Sequence, residues 1–183
     1  MNKDQKVALV LGGIKGIGKG IGLALAQDGI RVALPYHDWE ESLPDLKRDF
    51  AQTGIDHLII RINLLETEKI FQFVQQVVDH FNRLDILINN IERGGWPVVH
   101  GKYNQKQWDL EMATTLRAKQ WVFDAALPHL RKSQNACVIN FSSIAGIILR
   151  IYSLQGRRWY YELQYLGCNY RQVHASLQKG RKL

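Results

Sequence analysis

At 183 residues, 46% hydrophobic and 22% charged, the chain has the composition of one globular domain with room for a substantial core. No apolar run approaches the ~20 residues of a membrane-spanning helix, and the N-terminus, where acid and amide stand among the bases before an apolar run, does not resemble a secretion signal. Two cysteines, Cys137 and Cys168, make neither a metal cluster nor a disulfide framework, so the expectation is a reducing, cytoplasmic setting and no metal site.

Taken in order, Val7 to Leu11 is an apolar, β-branched-rich run of the length of a buried parallel strand. A glycine cluster follows, and Ile17, Ile21, Ala24 and Leu25 then recur at helical spacing until Gly29 stops the helix. Arg31 to Tyr36 predicts a second strand closed by His37-Asp38, and Trp39 to Thr53 an acid-opened helix with Gly54 behind it. His57 to Ile62 predicts a third strand ending at Asn63. Glu66 to Phe81 is the clearest helix, with Ile70, Val74, Val77, Val78 and Phe81 on one stripe. Leu84 to Ile88 is a fourth strand before Asn89-Asn90, and an irregular loop follows from Ile91 to Asn104. Gln105 to Arg131 holds a long helix that Pro128 kinks or shortens near its end. Ala136 to Phe141 is a fifth strand capped by Ser142-Ser143.

Strands alternating with helices at this interval predict right-handed βαβ units, and so an α/β domain with a parallel sheet covered on both faces. Ligands in such sheets lie beyond the C-terminal ends of the strands. The notable residues fall there: Gly12 to Gly18, His37-Asp38, Asn63, Asn89-Asn90 and Ser142-Ser143.

The glycines carry the first chemical argument. Gly12, Gly16 and Gly18 read G-x-x-x-G-x-G between a strand and a helix. Gly12 allows a tight turn, and bare backbone at Gly16 and Gly18 lets a pyrophosphate approach the N–H groups and positive dipole end of the helix. Helical glycines cost about 1 kcal/mol each against alanine, so the cluster needs a reason. Phosphate contact is one; a loop that merely turns the chain is the alternative.

Leu11 to Gly18, Leu84 to Asn90, Ala126-Leu-Pro-His-Leu130 and Val138 to Gly146 together resemble the short-chain dehydrogenase/reductase family, in order and interval, from about residue 5 to 146. The resemblance implies a single Rossmann-type doubly wound domain over 1–183 with about five strands, atypical and basic from 147 to 183. It implies hydride transfer between NAD(P)H and a small-molecule carbonyl or secondary alcohol. A homo-oligomer joined through the helix from Gln105 and the segment around Tyr165 is also implied. Gly12, Lys15, Gly16, Ile17 and Gly18 would hold the pyrophosphate end of the cofactor, Asn63 would meet adenine, and Asn89 and Asn90 the nicotinamide ribose. The family's threonine before the glycines is Leu11 here, and Ile91-Glu92 replaces the small pair after its two asparagines.

Cofactor choice has a physical side. A 2′-phosphate wants cations where an NAD site keeps an acid at the end of the second strand. That acid position holds Tyr36, with Lys15 and His37 nearby, while Asp38 pulls toward NAD. The expectation is NADP, with NAD possible.

For catalysis the resemblance places Thr115 at the family's asparagine and Ser143 at its carbonyl-binding serine. No Tyr-x-x-x-Lys exists in the chain; the nearest pattern is Tyr165 with Asn169, one helical turn apart beside a stripe of Leu163, Leu166, Tyr170, Val173 and Leu177. Aromatic packing of a helix is the competing reading of that pair. The family's last strands find no match, so the domain is expected to be shortened at its C-terminus. From Arg150 onward seven bases face the single acid Glu162. Three functions stay open: a weakened oxidoreductase, a catalytically inactive nucleotide-binding or interaction module, and a nucleic-acid binder using the basic tail.

Overall fold

The computed structural model describes residues 5–91 and 104–141. In chain order these form β1 (Val7–Leu11), α1 (Gly16–Gln27), β2 (Arg31–Tyr36), α2 (Leu43–Ala51), β3 (His57–Arg61), α3 (Thr67–Phe81), β4 (Ile86–Asn89), α4 (Gln105–Glu111), α5 (Ala118–Leu130) and β5 (Cys137–Asn140). The five strands make one parallel sheet ordered β3-β2-β1-β4-β5. The chain runs outward from β1 to β3 and returns to place β4 on the other side of β1. That reversal is the topological switch at which such sheets open a crevice above their strand ends.

Alternation along β1 feeds two cores. Val7, Leu9 and Leu11 face α3 and α5, joining Ile70, Phe73, Val74, Val77, Phe81, Val122, Phe123 and Leu130. Ala8 and Val10 face the other way, into a core with Ala26 of α1 and Leu46 and Phe50 of α2. With both faces covered, β1 is buried at every position.

The helix α1 packs Ile21 and Leu25 of its aliphatic stripe against the core, but its most buried face is rotated from that stripe onto small residues. Its buried residues are Gly18, Gly22 and Ala26, while Ile17 is 67% exposed and Ala24 also lies outside. The reason is close approach: a Cβ on Gly22 would stand 3.0 Å from the Phe50 ring and 3.1 Å from Leu34. Small residues at every fourth position let the helix lie flat on β2 and α2, and full burial of a side chain like Phe50 is worth about 1.5–3 kcal/mol.

Two predicted helices are also revised. The segment expected to be helical from Trp39 instead holds Trp39 in the left-handed region, a short 3₁₀ turn over Glu40–Ser42, and then α2 with proline in its first turn. The helix from Gln105 runs in its last stretch past Pro128 to Leu130, so the proline does not end it. Its irregularity lies earlier, in a π-helical stretch over Met112–Arg117. Its start is fixed by a capping box: the Asn104 side chain accepts the Gln107 N–H at 2.9 Å, and the Gln107 side chain accepts the Asn104 N–H at 3.1 Å.

Pro35 sits in β2, an interior strand, where a missing donor usually breaks a ladder. Arg31 bonds toward β1, through its N–H to the Lys6 carbonyl, and Tyr36 toward β3, through its carbonyl to the Ile62 N–H. Alternation therefore turns Pro35 toward β1. The β1–β2 register ends at Leu9 with Ala33, while β1–β4 continues to Leu11 with Asn89. The seam stops before the proline.

At the opposite end of the sheet, Asp85 is 1% exposed and holds three elements together. Its carboxylate accepts the Val7 N–H at 2.9 Å, two Arg83 N–H groups at 2.8 Å and the Ser133 hydroxyl at 2.6 Å. Burial pushes its pKa up, and the Arg83, Ser133 and Val7 donors outweigh that and bring it below the ordinary carboxylate range. A cavity of about 540 Å³ opens beside it, lined by Lys6, Arg83, His129 and Lys132 among others.

Candidate functional site

The crevice begins where β1 ends. Gly12 has φ +71°, and a Cβ there would stand 2.8 Å from the Asn90 carbonyl oxygen. Gly18 is tighter still, since its Cβ would fall 2.1 Å from the Gly12 oxygen, a distance no side chain tolerates. The first turn of α1 is thus folded directly onto the glycine turn, with Asn90 as the third wall. The Asn90 amide donates to the Gly12 oxygen at 3.5 Å.

The start of α1 is left open. Lys15 is its N-cap in extended conformation, no side chain caps the helix, and its first turn contains no acid. Nothing stands within 4 Å of where a Cβ on Gly16 would be. The first-turn N–H groups have no intrahelical partner. An anion fits there: donors, a positive dipole end and bare backbone converge with nothing competing for them. The exposed Ile17 side chain lies at the same opening.

Beside it, Asn89 is fully buried at the end of β4. Its amide donates to the Asn140 side chain at 2.7 Å, and its own side-chain oxygen has no partner among the described residues. The tips of β4 and β5 are therefore tied by an asparagine pair that leaves an acceptor over.

On the β2 side, the Lys15 ammonium lies 2.6 Å from the centroid of the Trp39 ring. His37 and Asp38 pair at 3.7 Å, both well exposed, and Arg61 at the end of β3 pairs with Glu40 at 2.9 Å. Asn63 is drawn into its own turn: its side-chain oxygen accepts the Leu65 N–H at 3.1 Å, and its side-chain amide donates to the Glu66 carboxylate.

Thr115 falls inside the π-helical stretch, a geometry that recurs at functional positions. Its hydroxyl donates to the Glu111 carboxylate at 3.4 Å, and Glu111 is 3% exposed. Ser143, Tyr165 and Asn169 lie outside the described residues, as do the loop over 92–103 and the basic tail. Among the described residues no cluster of three or more His, Cys, Asp or Glu could hold a metal ion, and no helix is long and apolar enough to cross a membrane.

The fold therefore brings together Gly12, Lys15, Gly16, Ile17, Gly18, Asn89 and Asn90, with His37 and Asp38 at the neighbouring strand tip. Three contributors escaped the sequence reading. Trp39 stands in a left-handed turn that bulky residues rarely adopt. Asn140 looks like an ordinary strand residue until Asn89 is paired with it. Glu111 is an acid in a polar helix, and its burial depends on tertiary contacts.

A doubly wound sheet with an open helix N-terminus over a glycine turn defines a nucleotide-binding α/β domain of the Rossmann type. The chain belongs to the short-chain dehydrogenase family, whose model matches residues 6–153. Among curated proteins it is 29% identical over 148 residues to the 3-oxoacyl-(acyl-carrier-protein) reductase FabG of Staphylococcus aureus, covering 80% of this chain and 59% of that protein. It is 30% identical over 151 residues to a 12alpha-hydroxysteroid dehydrogenase of Clostridium sp., covering 79% and 58%. The chain thus spans under two thirds of the length of the curated relatives it matches. Among solved structures, a metagenomic short-chain oxidoreductase in complex with NADP superposes with TM-score 0.78 at 27% identity, over 94% of this chain and 76% of that one. An NADH-dependent reductase, A1-R′, complexed with NAD, gives 0.79 at 26%, over 97% and 75%.

Proposed function

We propose that this chain is a single dinucleotide-binding domain that takes NADP in preference to NAD and serves hydride transfer between NAD(P)H and a small-molecule carbonyl or secondary alcohol. The observation that carries the reading is the uncapped N-terminus of α1 closed down on Gly12 and Asn90 at the sheet's switch point. The first-turn N–H groups at Gly16, Ile17 and Gly18 would hold the pyrophosphate. Lys15 and His37 would face a 2′-phosphate, Asp38 and Asn63 the adenosine, and Asn89 and Asn90 the nicotinamide ribose. Bound there, the nicotinamide would supply or accept the hydride.

The chain's own residues would handle the proton and the carbonyl. Ser143 would polarise the carbonyl oxygen by donating a hydrogen bond, and Tyr165, beside Asn169, would give or take the proton. Thr115, whose hydroxyl proton is committed to Glu111, keeps lone pairs that would hold a relay water. Its setting would be cytoplasmic and its working form a homo-oligomer.

The lack of any Tyr-x-x-x-Lys supports a second reading, a nucleotide-binding module without turnover. One experiment separates the two: titrate NADPH by its fluorescence, then follow its oxidation with a panel of ketones. Binding with turnover supports the oxidoreductase, and binding alone selects the module. Failure to bind NADPH or NADH would overturn both.

A further inference from the structure

We propose that Trp39 is a specificity-determining residue of the cofactor site, its indole holding the Lys15 ammonium where an adenosine 2′-phosphate is read. The inference rests on the dinucleotide reading above. It begins from a backbone outlier: Trp39 has φ 67° and ψ 41°, a region that bulky side chains rarely enter and that marks sites where the surrounding structure imposes a shape. Here the imposing contacts are visible. The Ser42 N–H donates to the Trp39 carbonyl at 2.9 Å, and the next residue, Glu40, is pinned to Arg61 of β3.

The turn does not bury the indole, which is 52% exposed. It aims the ring across the β2 tip at the N-cap of α1, where Lys15 lies over its face. A lysine on an open helix N-terminus has a freely rotating four-carbon stem and loses that freedom on binding a phosphate. Stacked on the indole, the ammonium is already localised beside the turn between β2 and α2. An exposed cation–π contact is weaker than a charge-assisted bond to phosphate, so the phosphate can take the ammonium while the ring still limits its range. A ligand without the phosphate has no use for this arrangement. The effect is therefore on discrimination.

The test uses the full chain and two adenosine probes, adenosine 2′,5′-bisphosphate and adenosine 5′-monophosphate, by calorimetric titration. Wild type should bind the bisphosphate more tightly. Trp39→Leu should weaken it about two- to fivefold and leave the monophosphate unchanged, with Trp39→Phe in between because it keeps a π face. In Lys15→Ala the preference for the bisphosphate should narrow to what His37 supplies, and adding Trp39→Leu should change nothing more. Bisphosphate binding that is unchanged or tighter in Trp39→Leu would overturn the proposal, as would an equal effect of Trp39→Leu without Lys15. A preference for the bisphosphate that is undiminished in Lys15→Ala would instead remove Lys15 from the phosphate site, and the role of Trp39 with it. Failure of both probes to bind would overturn the dinucleotide reading itself.

Discussion

Gly18 lies against Gly12 so closely that a single added methyl on Gly18 would stand 2.1 Å from the Gly12 carbonyl oxygen. Two glycines six residues apart thereby join the end of a strand to the start of a helix. Gly18→Ala is expected to push α1 off the turn and abolish nucleotide binding. Gly16→Ala meets no protein atom within 4 Å and costs the strain of φ +55°, about 1–2 kcal/mol, besides placing a methyl where a pyrophosphate would lie against bare backbone. Melting curves and NADPH titration of the two variants check this: Gly18→Ala should lose more of both.

Cofactor choice is the next expectation. A charge-assisted contact from Lys15 to a 2′-phosphate is worth about 1.5–3 kcal/mol, roughly tenfold to a hundredfold in affinity. NADPH should therefore bind more tightly than NADH, and Lys15→Ala should narrow the gap. Equal affinities in the unmodified chain would remove Lys15 and His37 from the phosphate site.

Asp85 is expected to matter for stability and not for chemistry, since it lies at the far end of the sheet. Asp85→Ala leaves the Val7 N–H and Arg83 without their acceptor and should cost about 3 kcal/mol at pH 7. The folded carboxyl has a lowered pKa, so its contribution is present above the unfolded value near ~3.9. That contribution is lost as pH falls through the lower folded value. Urea midpoints of wild type and variant should stand apart at pH 7 and draw closer as the pH is lowered below ~3.9.

His129 is a second group whose pKa folding lowers. Burial lowers its pKa, Lys132 lowers it further, and Asp79 partly opposes them. The unfolded imidazole takes its proton near ~6.5 while the folded one resists. Stability from this group should hold above that pH and fall as pH drops below it. Melting temperatures at pH 7.5 and 5.5 should differ less in His129→Gln than in wild type.

Turnover is where Tyr165 and Asn169 are tested. A tyrosine titrates near ~10 unless a charge stabilises its anion, and an asparagine carries none. Tyr165 would then serve as a proton donor in carbonyl reduction and as a poor base for alcohol oxidation at neutral pH. Reduction should outpace oxidation at pH 7, and Asn169→Lys should raise activity. Neutral-pH oxidation undiminished in Tyr165→Phe would assign the proton to another residue.

The strands and the glycine turn were legible because each rests on a short-range signal: an apolar run of about five residues, then glycines before a helical stripe. β1 and β2 have the bounds their sequences predict, and only one or two residues separate prediction from structure at β3 to β5. What was not legible depends on partners distant in sequence. Of the stripe Ile17, Ile21, Ala24 and Leu25, only Ile21 and Leu25 pack on the core, because close approach to Phe50 and Leu34 turns the glycine face of α1 inward. The π-helical stretch carries no periodic mark of its own; Thr114, whose hydroxyl bonds back to the Leu110 carbonyl at 2.8 Å, is its one local hint. The sequence predicts a helix start at Trp39 because residue type alone cannot announce a left-handed turn.

Pro35 sets a limit on how far this domain can be made more robust. Any ordinary residue there would restore an N–H facing β1 and invite the seam between the two strands to lengthen by a pair, the kind of backbone repair that commonly raises a melting temperature. The lengthened seam would draw the tip of β2, with Tyr36, His37 and Trp39 behind it, toward the glycine turn. Thermostability gained at this position would be taken from the width of the binding crevice, so a stabilised lineage of this domain should vary almost anywhere in β2 before it varies at residue 35.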